Sequence, residues 1–296
     1  MKNTWVICLI ISAILLFASC EEEIKKPSLG RRDFLFIKSH NTGSYYSAGS
    51  AWARLITSNT DFIGVNSTSP STDNEKIEML SSNKAQAAFL KGPEANIAYH
   101  GDPVYWKQPQ PIRAMFALWP AVYNLITYRD SGIKKIEDLQ GKRIAIYSEK
   151  AVNGDILEYL LSLYNINQEN TVIYRVRESI GIRMLMRREV DCIWYNLGYE
   201  ESSLKHPTAS DIDTIPSGDS FIQIAIEPDK NFREFLKINP YFYLSIFGSE
   251  IGLSDTTQLM TSSFSACAED MTEEVAKTLT RLWWENMTFV KQYVTG

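Results

Sequence analysis

The sequence predicts an α/β protein of two lobes, and three observations carry that prediction. Apolar runs at strand spacing alternate with helix-like text twice, between Asp33 and Leu90 and again between Leu125 and Tyr195. Such alternation builds mostly parallel sheets flanked by helices. A length of 296 residues suits about two domains, each able to bury its own core. The composition, 45% hydrophobic, 12% aromatic and 22% charged, is that of a globular chain, and it excludes disorder, collagen-like repeats and a multi-span membrane protein.

The first lobe opens with the apolar run Phe34 to Ile37, a turn at Asn41 to Ser44, and a helix with Tyr46, Ala53, Leu55 and Ile56 among its apolar positions. A strand at Phe62 to Val65 follows. Thr72 and Glu75 then make a capping box ahead of a helix bearing Ile77 and Leu80, and Ala85 to Leu90 is the next strand. The second series begins at Leu125 to Tyr128. It continues with a strand at Ile144 to Tyr147 and a helix capped by Asn153, with Ile156, Leu157, Leu160 and Leu161 on one face. Val172 to Val176 is a strand, Ile180 to Arg188 a helix, and Cys192 to Tyr195 a closing strand. From Met271 to Tyr293 the chain is helical, with Val275, Leu279, Leu282, Trp283 and Val290 spaced to cover a core. The expected division is lobe I at residues 33–124 plus 235–296, and lobe II at 125–234.

Ahead of the lobes, residues 1–19 carry Lys2 and an apolar run from Trp5 to Phe17. That run is shorter than the ~20 residues a membrane-spanning helix needs and fits the core of a signal peptide. Leu15-Leu16-Phe17-Ala18-Ser19-Cys20 resembles a bacterial lipobox, in which the cysteine thiol receives diacylglycerol; Phe17 stands where the pattern prefers Leu. The resemblance implies a lipoprotein signal peptide at 1–19, lipidation at Cys20, and a periplasmic or cell-surface protein anchored to the membrane. A cleaved secretory signal with Cys20 incidental is the alternative. Residues 20–32, with Glu21, Glu22, Glu23, Pro27 and Gly30, read as a flexible tether reaching at most ~40 Å.

Charge and composition narrow the function. A formal net charge of −5 leaves no global basic field to hold nucleic acid. Three histidines and four cysteines are too few and scattered for a zinc ribbon or a disulfide scaffold, so neither metal nor cofactor is expected. Cys192 and Cys267 read as buried thiols, a disulfide being the alternative. With no Gly-x-Ser-x-Gly, no His-x-x-x-His and no carboxylate cluster, an enzyme is not expected.

Two α/β lobes enclose a cleft, and helix N-termini at the carboxyl ends of strands are ready anion sites. Three turns fall there: Thr42-Gly43-Ser44-Tyr45-Tyr46, Ser69-Pro70-Ser71-Thr72, and the turn leading to Asn153 and Gly154. For any one turn, plain helix capping is the competing reading. Lys91 ends an apolar strand before Gly92-Pro93, where it can meet an anionic head group or simply be solvated. Trp119 and Tyr123 can stack on a ligand or pack a lobe junction. Trp194 and Tyr195 alternate on a strand, so at most one of them faces the cleft. His40 is a loop hydrogen-bonding residue or a pH-sensitive donor. Arg183, Arg187 and Arg188 read as a solvated helix face.

Several motifs carry a family resemblance. Gly43-Ser44-Tyr45-Tyr46 resembles the Gly-Thr-Tyr-Tyr turn of the TAXI solute receptors of tripartite ATP-independent periplasmic (TRAP) transporters. Ile112-Arg113-Ala114 through Ala117-Leu118-Trp119-Pro120, Asp130-Ser131-Gly132-Ile133, Asp138-Leu139-Gln140-Gly141-Lys142-Arg143 and Asn239-Pro240-Tyr241-Phe242 resemble later segments of that family, in the same order. The resemblance implies a type II periplasmic-binding-protein fold, a Venus flytrap holding a small anionic or zwitterionic organic solute, with TRAP permease membrane subunits as partner. It assigns ligand contact to Thr42, Ser44, Tyr45, Ser69, Ser71, Trp119, Tyr123, Asn153 and Gly154, and Tyr46, Lys91 and Trp194 join them as candidates read from the residues themselves. The second-lobe turn, Ala151-Val152-Asn153-Gly154 in place of Gly-Ser-Gly-Thr, departs from the pattern, as do Ala121, Lys91 and Trp119, so a relative's ligand does not transfer. A tethered sensor feeding a signalling partner, or an extracytoplasmic enzyme on the same scaffold, are the other readings.

Overall fold

The computed structural model describes residues 33–37, 44–61, 63–67, 72–146, 152–196, 220–249 and 253–295. The expected signal peptide and tether, Cys20, His40, Thr42, Ser69 and Ser71 lie outside the described residues.

The first sheet has five strands in the order β2-β1-β3-β12-β4: β1 (Asp33–Ile37), β2 (Ile63–Ser67), β3 (Ala87–Lys91), β4 (Ile112–Ala117) and β12 (Ser263–Ala268). β1 pairs parallel with β2 and β3, because α1 (Ser44–Asn59) and α2 (Asp73–Ser81) carry the chain back to the same end between strands. α3 (Gly92–His100) follows β3 directly. Phe36 meets Trp52 of α1 edge-on at 4.8 Å and Phe89 of β3 at 4.7 Å. Trp283 closes the same aromatic cluster, at 5.6 Å from Phe89 and stacked on Phe116 at 5.0 Å. Trp283 belongs to α7 (Glu273–Glu285), whose N-cap Thr72-like role is taken by Thr272, accepting from the Val275 amide. The helical text expected from Met271 to Tyr293 thus forms two helices, α7 and α8 (Met287–Thr295), separated at Asn286.

The second sheet holds β5 (Ala121–Tyr128), β6 (Arg143–Ile146), β7 (Val172–Arg175), β8 (Cys192–Asn196), β9 (Phe221–Gln223), β10 (Phe242–Phe247) and β11 (Thr256–Thr261) in the order β10-β11-β5-β8-β6-β7, with β9 also on β5. Parallel pairing is confined to β6 with β7 and β8, the strands joined through α4 (Val152–Leu163) and α5 (Glu178–Met186). β5 runs antiparallel to β8, β9 and β11, so this sheet is mixed. β10 and β11, which follow α6 (Lys230–Ile238), form a hairpin. β11 sets Leu259 and Met260 opposite Tyr123 and Val122, which draws the hairpin into the second sheet. The chain therefore changes sheets at residues 118–120 and again at Ser262.

The two crossings are tied together. The Leu118 amide donates to the Ser263 carbonyl at 2.8 Å, and the Gly92 amide that opens α3 donates to the Ser262 carbonyl at 2.9 Å. A Cβ on Gly92 would overlap Thr261 Oγ1 at 2.6 Å, so glycine permits this close approach. The motif at Asn239 stops α6: the Asn239 amide and Nδ2 both donate to the Phe235 carbonyl, at 3.0 and 3.2 Å. One continuous apolar cluster runs from Ile77 and Leu90 of the first sheet's layer to Leu125, Ile144 and Leu157 of the second. Among the described residues no helix is long and apolar enough to cross a membrane.

Candidate functional site

The polar chemistry of the described residues concentrates where the crossings, α2, α3 and α4 meet. α2 begins after Thr72, whose Oγ1 accepts from the Glu75 amide at 3.2 Å, so half of the expected capping box forms. Asp73, the first residue of the helix, therefore lies where the helix dipole favours an anion. One turn on, Lys76 donates to Asp73 Oδ1 at 2.6 Å and to the Phe89 carbonyl at 3.1 Å, with its side chain only 3% exposed. Lys91, at the carboxyl end of β3, places Nζ 3.8 Å from Asp73 Oδ2 and keeps 20% of its side chain exposed.

Glu94, in the first turn of α3, is buried and belongs to the same group. Its Oε1 accepts a hydrogen bond from Asn153 Nδ2 in the first turn of α4, while the Tyr123 hydroxyl donates to Asn153 Oδ1. The Asn153 side chain thus joins a helix of the first sheet's layer to a strand of the second sheet. Tyr45, at the start of α1, donates to Ser263 Oγ at 2.5 Å, and its ring lies 5.8 Å from Phe89 and 5.5 Å from Trp119. Lys76 Nζ lies 5.7 Å from the centre of the Tyr45 ring.

Electrostatics divide the two acids. Burial pushes the Glu94 carboxyl up to about 7, and the Asp73 charge adds to this, against the opposing pull of Lys91. Burial also works to raise Asp73, but Lys76 and Lys91 outweigh it, and hydrogen bonds from Lys76 and from the Glu94 carboxyl hold Asp73 below the usual carboxylate range. When Glu94 carries its proton, the described residues of the cluster set two ammonium groups against one carboxylate. That is a net positive, water-poor patch suited to an anionic head group. Burial pushes the Tyr45 hydroxyl far above its ordinary value, so it stays a donor.

The structure brings Tyr45, Lys91, Trp119, Tyr123 and Asn153 to this junction. Ser44 opens α1, and Tyr46 follows Tyr45 half-buried. Gly154 is buried beside Asn153 in the first turn of α4. Trp194 is fully buried, its Nε1 donating to the Tyr123 carbonyl at 3.1 Å, which places it in the core beneath Tyr123. Tyr195 is also buried, and its hydroxyl donates to the Ile146 carbonyl at 3.0 Å. Sequence reasoning missed Asp73, Lys76 and Glu94. The spacing Asp73-x-x-Lys76 directly after the Ser-Pro-Ser-Thr turn was a usable signal, but acids in a first helical turn usually serve the dipole in water.

Elsewhere, a groove of about 440 Å³ lies between β4, β12 and α7, lined in part by Arg113, Met115, Glu269, Lys277 and Arg281. Its charges are solvent-facing and matched to neighbours, Arg113 to Glu269 and Lys277 to Glu273. No buried polar group of the junction lines it, so the junction is the better candidate. Cys192 and Cys267 are free and buried. Among the described residues no group of three His, Cys, Asp or Glu side chains is placed to hold a metal ion.

The sequence model of the NMT1-like family matches residues 39–295. The structure is similar to that of a TctC solute binding protein from Polaromonas, with a TM-score of 0.54 at 10% identity over 88% of this chain and 86% of that one. It is similar also to a Xanthomonas citri protein bound to chloride ion, with a TM-score of 0.52 at 11% identity over 88% and 86%. These likenesses show the fold: a two-lobed, periplasmic-binding-protein-type α/β architecture.

The buried ion pair yields a stability prediction. Lys76→Met strips Asp73 of its 2.6 Å partner, and breaking a buried pair from one side costs about 3–5 kcal/mol. Urea unfolding of the variant should show a loss of that order; an unchanged midpoint would mean that Asp73 is not held by Lys76.

Proposed function

Because the chain belongs to the NMT1-like family, we propose that it is an extracytoplasmic solute-binding protein that captures a small anionic or zwitterionic organic solute at the junction of its two sheets. The observation that carries this reading is the cluster of buried Lys76 and Glu94 with partly exposed Asp73 and Lys91, placed where the chain crosses between sheets and flanked by Tyr45, whose ring lies beside Trp119. Lys91 supplies charge to the solute's head group, and the Tyr45 and Trp119 rings cover its carbon skeleton. The sheet changeovers at residues 118–120 and Ser262 mark the lobes, which close on the solute because the closed arrangement binds it better. In the finer version of the proposal the protein is a TAXI-type receptor that hands its solute to TRAP permease subunits. It would be tethered to the membrane through lipidated Cys20, with the turns holding Thr42, Ser69 and Ser71 completing the site.

A thermal-shift screen of amino acids, dicarboxylates and sulfonates tests the reading. A solute at 100 times its Kd should add about 2.7 kcal/mol of stability. Lys91→Met should then weaken binding of the same solute tenfold or more, about 1.4 kcal/mol, and an unaltered Kd would remove Lys91 from the site. Metabolic labelling with a fatty acid should mark the natural protein and not Cys20→Ser; equal labelling of both would refute the anchor.

A further inference from the structure

The loop between α3 and β4, residues 101–111, starts and ends in the first sheet's layer and touches the second on its way. Its shape is set locally. Gly101 turns the chain at φ +81°, a conformation that favours glycine, and a Cβ there would lie 3.1 Å from the Pro109 nitrogen. The Asp102 and Trp106 main chains bond to each other in both directions, at 2.6 and 2.8 Å. Asp102 Oδ1 accepts from the Val104 and Tyr105 amides at 2.8 and 3.1 Å. The Gln110 amide donates to the Ala98 carbonyl at 2.7 Å, tying the far end of the loop to α3. Val104 at the tip is 79% exposed, whereas Trp106 is buried. Trp106 belongs, with Tyr105 packed against it, to the apolar cluster that also holds Ile156, Leu157 and Leu160 of α4.

At α4 the loop meets a prepared acceptor. The Tyr105 hydroxyl donates to Asp155 Oδ2. Asp155 is held from its own side by Arg175 of β7, whose Nη1 lies 2.7 Å from Oδ1. The Nε of the same guanidinium donates at 2.8 Å to Glu158 on α4. Donor and acceptor are thus each positioned by their own layer. Asp155 stands two residues after Asn153, which donates to Glu94. The first turn of α4 therefore bonds the first sheet's layer twice, once to α3 and once to the loop. One group opposes the contact: Trp106 Nε1 is buried without a hydrogen-bond partner among the described residues. An N–H hidden from water without an acceptor costs free energy that exposure returns.

We propose that residues 101–111 form a strap by which lobe I clasps lobe II, with the bond from the Tyr105 hydroxyl to Asp155 as its catch. The proposal rests on the two-lobe reading above and adds its regulation: the strap sets the balance between open and closed lobes without touching the cluster of Asp73, Lys76, Lys91 and Glu94. When the catch releases, Asp155 keeps Arg175, the Tyr105 hydroxyl turns to water and the Trp106 N–H regains solvent. Every polar group of the catch then remains satisfied, which makes the contact reversible. Asp155 keeps 47% of its side chain exposed, so water competes for it and the catch is of modest strength.

Double electron–electron resonance on the solute-free protein tests this, with spin labels carried on unnatural amino acids at position 277 of α7 and position 187 after α5, whose side chains are exposed in separate lobes. Tyr105→Phe removes one oxygen and keeps the ring. It should raise the ratio of open to closed lobes about tenfold, equivalent to about 1.4 kcal/mol. Asp155→Ala should do the same, and the double variant should add little to either, because the two share one bond. Identical distance distributions in the natural protein and in Tyr105→Phe would overturn the proposal, and so would a shift in Asp155→Ala alone. Should Asp155→Ala fail to fold, Tyr105→Phe decides. An amino acid, dicarboxylate or sulfonate of the thermal-shift screen that draws the labels together, while Tyr105→Phe matches the natural protein, would remove the strap and leave solute capture in place. Lobes that Tyr105→Phe opens, with no compound of that screen raising the melting temperature, would support the strap and count against capture.

Discussion

The fold turns on one side-chain amide. Asn153, reaching from the second sheet's layer, is bonded to Glu94 of α3 and to Tyr123 of β5. Around that contact two backbone crossings run side by side, tied by Leu118 to Ser263 and by Gly92 to Ser262. A seam of this kind would be most stable if it were apolar. Replacing buried ion pairs by apolar residues of similar volume is often neutral or stabilising. Four ionisable groups stand at the seam nonetheless, and in the function proposed above they meet the head group of the solute.

The remainder of the protein serves to position that seam. The Phe36, Trp52, Phe89 and Trp283 cluster fixes α1 and α7 on the first sheet, which sets Tyr45 against Phe89 and the Ser263 hydroxyl. In the second sheet, the Trp194 indole bonded to the Tyr123 carbonyl and the Tyr195 hydroxyl bonded to the Ile146 carbonyl lock β8 to β5 and β6. Tyr123, fully buried in this frame, donates from its hydroxyl to Asn153. The two layers meet through these polar contacts and through the apolar cluster that they share.

Much of this organisation was legible in the residues. Alternating strand and helix text located β1 to β3 and β6 to β8, because local periodicity and turn chemistry decide those elements. Tyr45, Lys91 and Asn153 stood out because they lie at strand ends or helix starts, where an α/β fold places its ligands, whereas Tyr123 stood out through the family resemblance. The membership of β10 and β11 in the second sheet was not legible, since it depends on pairing between Leu259 and Tyr123, far apart in the chain. Nor were Asp73, Lys76 and Glu94. Locally they read as a solvated first turn, and only tertiary burial turns them into a coupled charge cluster. Trp194 and Tyr195 alternate along β8, a spacing that allows at most one of them to face a cleft, and both side chains are buried.

The most direct test of the account is a crystal structure of the protein with the solute that raises its melting temperature most. The account predicts that solute within hydrogen-bond reach of Lys91 and Tyr45, with Asn153 still joining Glu94 to Tyr123. A solute bound in the groove between β4 and α7, or a closed junction left untouched beside a solute bound elsewhere, would contradict it.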